Sequence, residues 1–129
     1  GYDLDQYYSL SYVILNNVET YYLALEKSSL GWHEDMNNYE YFVHFMLDCV
    51  KDGYKKLAYI IDVNSMMGFA NEKLLKVIND SMFPITKSEI EEIVVSLSRS
   101  TIEKSLNELL SKQQIQMIQS GKYAQYYKI

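Results

Sequence analysis

Apolar positions recur at helical spacing along most of this chain, and only its last stretch reads as short strands. Ser9 stands before Leu10, Val13 and Ile14, which predicts a short capped helix. Asn16-Asn17 predicts a break, and Val18, Tyr21, Tyr22 and Leu25 predict a second helix with one apolar face. Gly31 suits the left-handed residue past a helix end, and the polar run from there to Asn38 reads as a loop. The strongest pattern follows. Tyr39, Phe42, Val43, Met46, Val50, Tyr54, Leu57, Ala58 and Ile61 fall on one side of a helix of roughly twenty residues, with Glu40, His44, Asp48, Lys51 and Lys55 on the other. Periodicity stops between Asp62 and Phe69, so the domain junction is expected there, dividing residues 1–64 from 65–129.

In the second part, Asn71 is positioned to cap a helix carrying Leu74, Leu75, Val77 and Ile78, and Phe83-Pro84-Ile85 reads as a connector or a one-bridge strand. Thr86-Lys87-Ser88-Glu89 has capping-box spacing and opens a short helix with Ile90, Ile93 and Val94. Ser98 to Thr101 opens another, with Ile102, Leu106, Leu109 and Leu110 on its buried face. Two strand-like runs joined by Ser120-Gly121 complete the chain. Helix, turn, helix and hairpin in this order is the plan of a winged helix-turn-helix. The expected class is therefore mostly α, with a small C-terminal β-hairpin.

Composition supports that class: 48% of residues are hydrophobic and 22% charged, with 13 Tyr but one Pro and five Gly. The single Cys49 has no intramolecular disulfide partner, and no basic start followed by an apolar run marks a secretory signal, so a reducing cytoplasm is the expected compartment. The net charge of −5 is unevenly spread. Residues 1–64 carry four lysines against ten acids, net −6, and residues 65–129 carry eight bases against seven acids, net +1. Only the second part is a plausible partner for a polyanion, and it is far less basic than dedicated DNA-binding domains.

Candidate chemistry is sparse. His33-Glu34-Asp35 lacks the second histidine of a helical zinc pattern, and one Cys with two His is too few soft ligands for a closed zinc site. His44 falls on a polar helix face, five residues from Cys49 and so not on one face with it, which leaves nucleophilic catalysis unsupported. No glycine-rich phosphate loop exists. The aromatic residues Tyr21, Tyr22, Tyr39, Tyr41 and Phe42 read as core rather than as a stacking platform. What remains is the second helix of the winged module, whose outward residues are Arg99, Ser100, Glu103, Lys104 and Asn107. Arg99 is the chain's only arginine and is suited to a guanine edge; Ser100 and Thr101 are suited to phosphates, the wing residue Lys122 to the backbone, and Lys104 is a further candidate contact. Glu103, Glu108 and the run Glu89, Glu91, Glu92 oppose a polyanion there.

Gly1-Tyr2, Tyr8-Ser9-Leu10, Thr20 to Leu25, Ser28 to Glu34 and Asn38-Tyr39 together resemble the C-terminal side of the Fic family (filamentation induced by cAMP), with Tyr21 to Tyr39 the most specific tract. Members of that family mostly transfer AMP from ATP to a protein hydroxyl, and a winged helix commonly follows the catalytic domain. The resemblance implies that residues 1–64 are the tail helices of a Fic-type catalytic domain and that the full-length parent is a bacterial AMP transferase using ATP and Mg. The catalytic motif, His-Pro-Phe-x-x-Gly-Asn-Gly-Arg, is absent: neither histidine precedes a proline, and the only proline is Pro84. No catalytic, cofactor-binding or metal-binding residue carries over, so the chain itself is expected not to be an enzyme, starting just beyond the motif at Gly1. Ser88 and Glu92 have the spacing of the family's autoinhibitory pattern, but Ile93 follows where Gly or Asn belongs. The resemblance further implies a bare apolar face over residues 10–61, and through it self-association.

Two readings stand beside each other. In one the chain is the tail of a Fic-type protein, its winged helix serving regulation or contact with DNA or a target protein through residues 86–129. In the other it is a stand-alone winged-helix transcription regulator whose helical first part dimerises.

Overall fold

The computed structural model describes residues 9–129, the Lys122 side chain excepted, as mostly helical with a small three-stranded antiparallel sheet. The expectation for Gly1 to Tyr8 lies outside the described residues. Two compact units divide between Ala58 and Tyr59, inside a helix rather than in the connector 62–69.

The first unit is built on α1 (Leu10–Leu15), α2 (Val18–Ser29) and most of α3 (Glu40–Ser65). Asn17 separates the first two helices, its Nδ2 donating to the Val13 carbonyl at 2.9 Å. Gly31 follows α2 with φ +74°, where a Cβ would meet that of Met36 at 3.1 Å, so the conformation and the space both favour glycine. Val13, Ala24, Phe45 and Cys49 are buried together, flanked by Leu10, Ile14, Tyr21, Phe42 and Met46. Ser28 is buried as well, its Oγ accepting the Phe42 backbone N–H at 3.0 Å and tying α2 to the start of α3.

The buried line of α3 differs from the expected one. Tyr39, Val43, Tyr54 and Ile61 are exposed, and Phe45 and Cys49 are inside. Apolar residues occur nearly all round this helix, so spacing alone selects no unique face; the contacts with α2 select it. The aromatic expectation is corrected in the same way. Tyr21 packs on Phe42 and Phe45, with ring centroids 6.1 and 5.9 Å away, but Tyr22, Tyr39 and Tyr41 face solvent.

Helix α3 also runs past Ile61, to Ser65, because its last turns belong to the second core. Val63 is wholly buried there. Asn64 Nδ2 donates to the carbonyls of Ile60 and Ile93, each at 2.7 Å, and its Oδ1 accepts the Ser96 N–H at 2.9 Å.

The second unit continues with α4 (Ala70–Asp80), β1 (Ile85–Thr86), α5 (Lys87–Ile93), α6 (Arg99–Ser111), β2 (Ile115–Ile118) and β3 (Gln125–Lys128). Phe69, not Asn71, occupies the N-cap of α4, and Asn71 instead donates to Glu108 on α6 at 2.9 Å. The sheet order is β1-β3-β2, with Tyr126 opposite both Ile85 and Met117. Ser120-Gly121 lies within a longer connection between β2 and β3 that includes the turn Gly121–Tyr123. Leu74, Val77 and Ile78 of α4 meet Ile90, Ile93 and Val94 around α5, Ile102, Leu106 and Leu109 of α6, and Ile115 of β2. Among the described residues no helix is long and apolar enough to cross a membrane.

Candidate functional site

The start of α5 follows from a reciprocal cap. Thr86 Oγ1 accepts the Glu89 N–H at 3.3 Å, and Glu89 Oε2 accepts the Thr86 N–H at 2.8 Å. Satisfying both donors fixes where the chain turns helical and places Lys87 at the first helical position. Ile90, Ile93 and Val94 then sink into the core, and the chain turns at Val95-Ser96-Leu97. Ser98 caps α6, its Oγ accepting the Thr101 N–H at 3.3 Å. Ile102, Leu106 and Leu109 hold one face of α6 inside, so Arg99, Ser100, Glu103, Lys104 and Asn107 all project outward, as their spacing predicts.

The outward face is already internally paired. Lys87 Nζ lies 2.6 Å from Glu103 Oε1, and Arg99 Nε lies 3.6 Å from the same oxygen. Arg99 Nε is also 3.4 Å from Glu91 Oε1, a water-shielded oxygen that accepts no hydrogen bond. Lys87, and after it Arg99, hold the Glu103 carboxyl below the usual carboxylate range. The Ser100 and Thr101 hydroxyls lie 3.0 and 2.8 Å from the capping oxygen of Ser98. Lys104 is exposed and makes no ion pair among the described residues. Lys122 belongs to the turn Gly121–Tyr123. Between α5, α6 and that turn is a cavity of about 260 Å³ lined by Thr86, Lys87, Ser88, Arg99, Gly121, Ala124 and Tyr126.

Sequence reasoning missed Lys87 and Glu91 as members of this cluster. Lys87 and Glu103 are 16 positions apart on different helices, so no local spacing could have revealed the pair. It also missed Lys73, a buried lysine whose Nζ donates to the Asn64 carbonyl at 3.0 Å and to Ser96 Oγ at 3.2 Å. Together with the Asn64 side chain, Lys73 holds the turn before α6 in place.

The first unit has a groove of about 390 Å³ between α2 and α3, and His44 and Cys49, expected on different faces, both line it. Burial, then Asp52 and Asp48, push the Cys49 thiol up, the reverse of what activates a nucleophile. His44 Nε2 is 3.5 Å from Glu40 Oε1. Among the described residues no three His, Cys, Asp or Glu side chains come together to hold a metal ion.

No known protein family, curated protein or solved structure matches the chain.

Proposed function

We propose that Tyr59–Ile129 is a winged helix-turn-helix whose exposed α6 face contacts a protein rather than DNA, and that the chain is the non-catalytic C-terminal part of a Fic-type AMP transferase. The observation that carries the first part is the closed charge cluster at the start of α6. Arg99, the residue best suited to a guanine edge, faces two carboxylates, Glu91 and Glu103. Meeting a phosphate or a base there would require breaking those pairs, and the carboxylates left behind would repel the DNA backbone. A face of alternating charges with hydroxyls suits the polar surface of a protein partner instead. The Fic part of the reading is supported by the Tyr21 to Tyr39 tract and by the order of the elements, helices first and then helices with a small three-stranded sheet.

Fluorescence anisotropy with a labelled mixed-sequence duplex tests the choice of partner. Weak binding is expected, with little dependence on salt. A steep fall in affinity as salt rises, with a slope implying several phosphate contacts, would instead favour the stand-alone DNA-binding regulator. For the enzyme reading, the coding sequence upstream of Gly1 should contain the His-Pro-Phe-x-x-Gly-Asn-Gly-Arg motif, and deleting residues 65–129 from the parent should lose target selection while AMP transfer is retained.

A further inference from the structure

We propose that Glu103 is the residue that keeps polyanions off this module, its carboxylate standing between Lys87 and Arg99 where a DNA phosphate would otherwise sit. The inference rests on the winged-helix reading above. Lys87 is the first residue of α5 and Arg99 the first of α6, so two separate helix starts bring cations to the edge of one cavity, which Ser88 and Gly121 also line. Two cations brought together in this way would attract a phosphate if no carboxylate stood between them.

Among the described residues Glu103 is the one acid paired with both cations, at 2.6 and 3.6 Å. Glu91 reaches only Arg99, and Glu89 is engaged in the cap with Thr86. Glu103 is exposed on the outward side of α6 and contributes nothing to the core, so its evident role is electrostatic. Removing its charge while keeping its shape releases Lys87 fully and relieves Arg99 of one of its two carboxylates.

Glu103→Gln tests this with the whole chain, since glutamine has nearly the same helix propensity and size. The variant should bind a mixed-sequence duplex roughly tenfold more tightly at low salt, and the slope of log K against log salt should steepen by about 1–2, matching one or two new phosphate contacts. Adding Lys87→Ala to it should abolish most of that gain. Glu92→Gln makes the same change in net charge at an exposed α5 residue that has no ion pair among the described residues, and should shift affinity by less than about twofold. A Glu103→Gln protein with unchanged circular dichroism and unchanged DNA affinity would overturn the inference, and so would an equal gain from Glu92→Gln. The wild-type affinity tests the protein-contact reading, and the ratio of variant to wild type tests Glu103, so either can fail alone.

Discussion

Ten side chains of the second unit, among them Val63, Leu74, Ile90, Leu106 and Ile115, keep less than 2% of their surface exposed, while Val13, Ala24, Phe45 and Cys49 of the first unit keep 3–7% each. The second unit brings helices and a sheet around one dry interior. The first presses short helices against a long one along a thin seam and leaves Leu15, Tyr22, Leu30, Trp32, Met36 and Leu47 from 57% to 73% exposed. Comparable apolar content therefore yields two different objects. The difference lies in the interiors, since the second unit seals a deep core while still exposing Met67, Phe69, Met82 and Phe83, and the first has only a thin seam beneath an apolar surface of the kind that marks contact sites in other proteins.

The sharpest way to break this contrast is a matched pair of core truncations. Leu106→Ala should cost about 2–5 kcal/mol, because a sealed site cannot refill the cavity. Phe45→Ala should cost less than the usual value of about 3–5 kcal/mol for a buried phenylalanine, because its seam is already open to water. Urea unfolding, followed by hydrogen exchange in each unit, separates the two losses. Equal costs would mean that the seam is as well packed as the core.

Next in size is association. The exposed side chains of the first unit should make the chain self-associate as concentration rises, and Leu47→Glu should weaken that association. Light scattering showing a monodisperse monomer at every concentration, with no dye bound to apolar surface, would count against it.

The smallest effect separates the units by pH. The Tyr59 hydroxyl donates to Asp80 Oδ2 at 3.1 Å, and burial followed by Asp80 pushes the phenol well above its ordinary range. Lys76, 3.2 Å from the same oxygen, is also pushed up, chiefly by Asp80. Both groups hold their protons more tightly folded than unfolded. Their stabilisation is therefore complete below about pH 10 and is lost as pH rises, because the unfolded chain releases its protons first. Tyr59→Phe should flatten the alkaline fall in melting temperature of the second unit. An unchanged slope would show that the phenol contributes nothing.

What could be read in the sequence was what short spacing encodes. Thr86 with Glu89, Ser98 before α6, Gly31 past α2 and the outward set on α6 all follow from patterns a few residues long, and the structure has them. The buried line of α3 was not legible, since Tyr41, Val43, Phe45, Leu47 and Cys49 make several faces equally apolar. The charge cluster was only half legible. Arg99 and Glu103 share one helix, but Lys87 joins them only through the fold, just as Asn64 reaches Ile93 and Ser96 across 29 and 32 positions.

Asn64 makes the durability of this arrangement a chemical matter as well as a conformational one. Its amide nitrogen serves the carbonyls of Ile60 and Ile93, and hydrolysis of that amide would release ammonia and leave an aspartate. The carboxylate would then face two carbonyl oxygens with nothing to donate. A single slow hydrolysis, invisible in the cell's messages and in the fold's topology, would loosen the turn that presents α6.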